Sequence, residues 1–245
     1  MNSKPKSSTC LLCLLLLTFA ACASRPAAGD NSAGGAGTPA SSGGGAVAKV
    51  GAAAISESDK PVDVMTKAVR AQLDAKSYRA RVNSSTATGA NTTMLIEYSA
   101  PDRYRMTVEG AGGEAGKGFK MEYVIVGGAT YVKLPERGWV KSPIDASGMI
   151  KSFRDPKMLD ELTKTADVQL VGADTLDGAP MLVYQYTQNN PMGMKVKSTS
   201  KTWLSVADGL PRKTETEGEF NGAKTKMLMT MSDYNADIKI DAPLK

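Results

Sequence analysis

Four stretches of this chain carry residues at spacings that could do chemistry. Ser198-Thr-Ser-Lys201 has the S-x-x-K spacing in which a lysine activates a serine nucleophile. That chemistry places the serine at a helix start, with Ser-Asp-Asn and Lys-Thr-Gly segments beside it. This copy lies in an apparent strand, and neither companion segment is present. Gly110-Ala-Gly-Gly-Glu-Ala-Gly-Lys-Gly118 approximates a phosphate-cradling loop, which needs glycine where Ala111 stands and Ser or Thr where Gly118 stands. It also needs a following helix, whose first amides and dipole hold the phosphate. Here a strand pattern follows. Asp174 with Asp177, and Asp160 with Glu161, are the nearest approach to a carboxylate pair. A hydrolytic pair must converge across a cleft, whereas the first flanks a glycine turn and the second sits on a helical stretch among lysines. The chain has no histidine, so metal sites and catalytic triads lose their usual ligand and base. These observations predict no enzyme, no metal and no cofactor.

The elements that would have to position any site are mostly strands. Pro61 suits a first helical position, near Asp59 or Lys60 at the cap, and Val62, Met65, Val69 and Leu73 recur at helical spacing. From Ser77 the period becomes two. Tyr78, Ala80 and Val82 form one face; Met94, Ile96 and Tyr98 a second; Tyr104, Met106 and Val108 a third, opposed by Arg103, Arg105, Thr107 and Glu109. Such alternation is that of a sheet with one dry and one wet face. Phe119, Met121, Tyr123 and Ile125 continue it as far as the Gly127-Gly128 turn, although Val124 and Val126 are apolar too. Short strands follow at 130–134 and 138–141. Residues 144–165 break the pattern and read as two short helices joined near Asp155-Pro156. Strands resume at 167–173, 180–188, 194–206, 210–220 and 224–234, with turns at Asp177-Gly178, Asp208-Gly209 and Asn221-Gly222. The predicted order is helix, six strands, helical crossover, five strands: mainly antiparallel β with a few helices.

The N-terminal part reads differently. Lys4 and Lys6 precede an apolar run from Cys10 to Ala21, the layout of a secretory signal and too short for a membrane span of roughly 20 residues. Phe19-Ala20-Ala21-Cys22 resembles the bacterial lipobox, which makes residues 1–21 a lipoprotein signal peptide and Cys22 an acylated lipid anchor. Residues 22–58 are rich in Gly, Ala, Ser and Pro and read as a flexible tether with a coil dimension of roughly 30–35 Å. The folded domain is then 59–245. With one cysteine left after processing, no disulfide can form within that domain, and its stability must come from its core. Net charge is +5, and loss of Lys4 and Lys6 with the signal leaves +3. Basic and acidic residues are interspersed, so no nucleic-acid footprint is present.

Methionine is the informative residue. The chain has 13 methionines against 4 phenylalanines. Met227, Met229 and Met231 alternate on one strand, while Met94, Met106 and Met121 fall on the inward parity of theirs. Unbranched and polarizable, methionine fills cores and also conforms to partners of variable shape. A wide sheet with little helical cover leaves room for an apolar gap that would accept hydrocarbon.

Tyr98-Ser-Ala-Pro-Asp-Arg-Tyr-Arg105, Tyr123-Val-Ile-Val-Gly-Gly-Ala-Thr-Tyr-Val-Lys133 with Gly138-Trp139, Thr202-Trp-Leu-Ser-Val-Ala-Asp-Gly-Leu-Pro211 and Ser232-Asp-Tyr-Asn-Ala-Asp-Ile-Lys-Ile-Asp-Ala-Pro243 carry a family resemblance through their order and spacing. From Val62 to Pro243 the chain resembles the LolA/LolB lipoprotein carriers and, more closely, the LppX/LprG lipoproteins of actinobacteria. The resemblance implies a half-barrel of about eleven strands curled around helices. Acyl chains of lipids or lipoproteins would lie between and be passed across the envelope without chemical change. Two departures limit it. Ala100 precedes Pro101 where the soluble carrier has a latching arginine, and the Gly-rich loop 110–118 lacks the leucine with which the anchored acceptor enters its membrane. Generic acyl-chain binding survives these departures; transfer specific to the LolA/LolB route does not.

The expected ligand-binding residues are Met94, Ile96, Met106, Val108, Met121, Tyr123 and Ile125 in a sheet wall, with Met149, Phe153, Met158 and Leu162 in a helical lid. The expected setting is the cell envelope, with a monomeric domain facing the periplasm. Ala23 after the cysteine favours the outer membrane if the cell has one. The rival expectation is an envelope sensor or interaction protein that uses the same fold to grip a protein partner.

Overall fold

The computed structural model describes residues 54–87, 89–111, 118–144, 146, 167–189, 196–220 and 223–244. One helix and eleven strands occupy them: α1 (Pro61–Asp74), β1 (Ser77–Thr86), β2 (Asn91–Ser99), β3 (Arg103–Ala111), β4 (Phe119–Val126), β5 (Ala129–Leu134), β6 (Gly138–Lys141), β7 (Asp167–Leu176), β8 (Ala179–Asn189), β9 (Val196–Ser205), β10 (Pro211–Phe220) and β11 (Ala223–Ser232). The strands form a single sheet in the order β6-β5-β4-β3-β2-β1-β11-β10-β9-β8-β7, and each paired neighbour is antiparallel. The sheet is curled and not closed: β6 and β7 remain as edges. Among the described residues no helix is long and apolar enough to cross a membrane.

Local chemistry accounts for most of this. Gly127 and Gly128 lie at φ +58° and +85°, and Asp177 and Gly178 at +50° and +79°. Each pair forms a two-residue hairpin turn, between Val126 and Ala129 and between Leu176 and Ala179, where positive φ matches the twist of the flanking strands. The long-range step is the pairing of the first strand with the last, which places Val82 opposite Met229 and Ala80 opposite Met231. This joins six strands of the first half to five of the second.

Helix α1 starts at Pro61, as the sequence predicts, with Lys60 at the N-cap and no side-chain cap bond. Its buried face differs from the predicted stripe. Val64, Met65, Ala68, Val69 and Ala71 are buried, while Val62 is 38 % exposed and Leu73 only partly covered. The face turned to the sheet carries Val64, Met65 and Ala68, which leaves Val62 outward. The helix packs, with Ile55, on Val168, Leu182, Tyr184, Tyr186 and Leu204 of β7, β8 and β9.

The outer face of the sheet is wet and charge-paired. Glu97 lies between Arg79 and Arg105, each at 2.8 Å, and Glu109–Lys120, Glu122–Lys133 and Glu217–Lys226 repeat the arrangement at 2.9, 3.0 and 2.8 Å. All of these join directly opposed residues on neighbouring strands. Two patches of this face are apolar. Trp203 packs with Met181 and Val183; its indole Nε1 donates to Asp174 Oδ2 at 2.7 Å, and Lys213 Nζ stands 4.2 Å from the ring centroid. Val124 is covered by Ile238 and Ile240 of the C-terminal segment, which explains why β4 is apolar on both sides. That segment is strapped down by Asn235 N–H to Ser77 O at 2.9 Å, Lys76 N–H to Asn235 Oδ1 at 2.8 Å and Arg103 Nη1 to Ile240 O at 2.7 Å.

Candidate functional site

The strand registers build the site on the concave face. One cross-strand row runs Met229–Val82–Met94–Val108–Met121 and a second Met231–Ala80–Ile96–Met106–Tyr123. A third runs Tyr78–Tyr98–Tyr104–Ile125. All seven residues expected in the sheet wall therefore share one face and are opposed in adjacent strands. Cβ atoms of opposed residues are roughly 4.5–5.5 Å apart, so such rows form a continuous apolar surface.

Burial is graded along the first row. Val82 and Met229 are 1 % exposed, Met94 2 %, Val108 7 % and Met121 38 %. Met121 thus stands at the rim, beside Phe119, whose ring lies over Gly110 on the same face. The aromatic row is close-set: Tyr78 and Tyr98 have centroids 5.1 Å apart, Tyr98 and Tyr104 4.9 Å, and Tyr234 joins Tyr78 at 6.1 Å. Hydroxyls on this face point at sulfur as well as oxygen. Tyr123 OH lies 3.3 Å from Met121 Sδ, and Tyr234 OH donates to Pro211 O at 2.9 Å and lies 3.2 Å from Met231 Sδ. Burial pushes the Tyr123 and Tyr234 phenols above the usual tyrosine value, so both stay neutral.

The same face changes character across β11. Beyond Met229 the first row continues as Thr214–Thr202–Tyr184–Leu170, and beside it Met227 leads to Thr216–Ser200–Tyr186–Val168. Thr202 and Thr214 hydroxyls are 3.1 Å apart, and those of Ser200 and Thr216 2.9 Å. Tyr184 is 0 % exposed, and its hydroxyl has no hydrogen-bond partner. Such an unmet buried donor costs roughly 1–3 kcal/mol. Burial, with added effect from Asp59 and Glu57, pushes its phenol up to about 12.

Charge is excluded from this surface. At the ladder-paired positions among the described residues, Lys, Arg, Asp and Glu all stand on the outer parity. Arg212 sits unpaired in a β10 irregularity, bound to Asp208 at 2.6 Å and set 5.0 Å from the Tyr234 ring.

The reactive spacings are not assembled. Ser198 is buried on the inner parity of β9, whereas Lys201 is exposed on the outer one. Asp174 is engaged by Trp203 Nε1 and by Thr175 N–H at 2.7 Å, which hold its carboxyl below the usual value, and Asp177 is a turn residue. A polar groove of about 580 Å³ opens at the far end of β1, β9, β10 and β11, lined by Lys197, Lys224, Lys226, Glu217 and Glu219 among others. None of the expected binding residues lines it. Cys22, the expected lid residues Met149, Phe153, Met158 and Leu162, and the Asp160–Glu161 pair lie outside the described residues.

Tyr78, Ala80, Val82, Met227, Met229 and Met231 also belong to the wall, and alternation in the sequence groups them on one face of their strands without saying which face is inward. What alternation lacks is the β1–β11 pairing that sets them beside Met94 and Ile96. Leu182, Tyr184 and Tyr186 also alternate, but apolar Met181 and Val183 between them mask the signal.

No protein-family model matches the chain, and no curated protein matches it. Solved structures do. The lipoprotein LppX of Mycobacterium tuberculosis superposes with a TM-score of 0.50 at 14 % identity, over 71 % of this chain and 94 % of that one. LprF of Mycobacterium bovis does so with a TM-score of 0.50 at 10 % identity, over 74 % and 95 %. The chain therefore has the LppX-type fold, an open curled antiparallel sheet, which is the fold its sequence resemblance implies.

Proposed function

We propose that this protein is an exported lipoprotein, anchored through acylated Cys22, that holds acyl chains of lipids or lipoproteins against its concave sheet face. It carries or presents them in the cell envelope without chemical change and without a cofactor. The observation that carries this reading is the concave face itself: three opposed rows of Met, Val, Ile and Tyr, with charge confined to the outer parity. Each methylene moved from water onto such a surface gains about 0.8 kcal/mol, so two or three acyl chains overcome their insolubility if water is kept out. Met94, Ile96, Met106, Val108, Met121, Tyr123 and Ile125 form the wall in this reading, and Met149, Phe153, Met158 and Leu162 the lid. The tether over 22–58 lets a monomeric domain work away from its membrane, on the periplasmic side and at the outer membrane where one exists. The likeness to LppX, itself a lipoprotein, supports the setting.

The test is native mass spectrometry of the protein purified from its own host. Lipid retained at a fixed ratio supports cargo binding, and protein that is consistently empty argues against it. A second reading, docking of a protein partner on the outside of the sheet, draws on Leu95, an outer-face residue exposed by 38 %. A partner that crosslinks at this residue to lipid-free protein would favour it.

A further inference from the structure

The concave face has two halves of different chemistry. Its apolar half, on β11 and β1 to β4, offers hydrocarbon contact and thioether sulfur. Its other half, on β8 to β10, is lined by buried Tyr184, Ser200, Thr202 and Thr214, with Thr216 beside them. Thr202 with Thr214 and Ser200 with Thr216 satisfy one another. Tyr184 does not: among the described residues its hydroxyl is the one buried side-chain N or O atom without a hydrogen-bond partner. A core that needed only bulk at this position would be served by phenylalanine, since a buried hydroxyl left unpaired is destabilising.

We propose that Tyr184 is a ligand-binding residue whose hydroxyl donates to an uncharged oxygen acceptor of the bound lipid. The acceptor's class is the carbonyl of an acyl ester, which reaches the hydroxyl when α1, packed directly on Tyr184 in the lipid-free chain, shifts from it, while the chains run along the methionine rows. This rests on the cargo reading above and adds to it the lipid's polar group and its orientation. Charge supports the choice of acceptor. No cation stands at a ladder-paired position of this face, and the one guanidinium near it, Arg212 in the β10 irregularity, is already paired with Asp208 at 2.6 Å, so a carboxylate or phosphate would be buried without a free counter-charge. The ionisable groups that act on the Tyr184 phenol are the carboxylates of Asp59 and Glu57, which repel an anion. A neutral ester avoids both costs.

The experiment uses the full chain from its own host, stripped of lipid, and its Tyr184→Phe variant. Three probes are titrated: dioleoylglycerol, oleate and a pyrene-labelled alkane with no oxygen. The expected result is that the native chain prefers dioleoylglycerol to oleate at pH 8. Tyr184→Phe should weaken dioleoylglycerol binding roughly tenfold, the size of one hydrogen bond to a buried donor, with alkane binding unchanged. The lipid-free variant should melt at the same temperature as the native chain or higher, because removing an unpaired hydroxyl relieves a cost; a lower melting temperature would reveal a structural partner and overturn the proposal. Equal binding of dioleoylglycerol by the two forms also overturns it, while alkane binding keeps the cargo reading alive. Failure of the native chain to bind any of the three probes overturns both.

Discussion

Val82 of β1 stands directly opposite Met94 of β2, and the two are exposed by only 1 % and 2 %. Met229 flanks Val82 from the other side, so this pair lies where the first and last strands meet. Truncation here should be costly. Met94→Ala is expected to lower unfolding free energy by about 2–5 kcal/mol, the range for removing a buried methionine side chain. Urea denaturation of the lipid-free chain measures it, and a loss under 1 kcal/mol would mean the row is not close-packed.

Glu97 predicts a pH dependence. Burial pushes its carboxyl up, but hydrogen bonds and charge from Arg79 and Arg105 outweigh burial and hold it below the usual value. A carboxyl depressed in the folded state stabilises fully above its unfolded pKa, roughly 4.3, and that contribution is lost as pH falls through the lower folded value. Glu97→Gln should therefore cost at most about 1 kcal/mol at pH 7, because these pairs are half-exposed and screened. The difference should shrink below pH of about 4. Thermal melts at pH 7 and pH 3 decide it: a gap equally large at both would show that the charge is not responsible.

The sheet was legible where one face is dry and one wet. Alternation around Met94, Ile96, Tyr104 and Met106 sets both strand and face, because a one-residue slip would bury arginine. The turn pairs Gly127-Gly128 and Asp177-Gly178 are local chemistry and were equally readable. What could not be read depends on distant pairing. Val82 meets Met229 across 146 intervening residues, and no local pattern announces it. Val124 looked ambiguous because its cover, Ile238 and Ile240, arrives from the far end of the chain. The helix stripe shifted for a related reason. Hydrophobicity singles out Val62, but the face packed on β7, β8 and β9 is that of Val64, Met65 and the small Ala68. The solitary hydroxyl of Tyr184 is a property of its surroundings and has no sequence signal at all.

The C-terminal strap should behave as part of the core. Ile240 is 1 % exposed and packs with Ile238 on Val124, while Arg103 holds its carbonyl. Ile240→Ala is expected to cost about 2–5 kcal/mol and to free the strap before the sheet. Hydrogen exchange should then quicken at Asn235, whose N–H bonds Ser77 O, while β9 and β10 stay protected. Uniform quickening throughout the sheet would instead make the strap one cooperative unit with it.

Adjacent residues on β2 offer the sharpest test of a face without charge. Leu95 points outward, 38 % exposed and opposite Arg81, whereas Ile96 lies inward between Ala80 and Met106. Leu95→Glu places a carboxylate across from a guanidinium and should change stability by no more than about 0.5 kcal/mol. Ile96→Glu places the same carboxylate at a partly buried position among apolar side chains, with no cation at the opposed positions, a cost of about 1–3 kcal/mol. Because that cost belongs to the ionised form, Ile96→Glu should regain stability as pH falls and the carboxyl takes up a proton. Lipid retention should follow the same division: kept in Leu95→Glu and lost in Ile96→Glu at neutral pH, by native mass spectrometry of both. If the two substitutions act alike, the concave face is not the surface that sets this protein apart from an ordinary packed sheet.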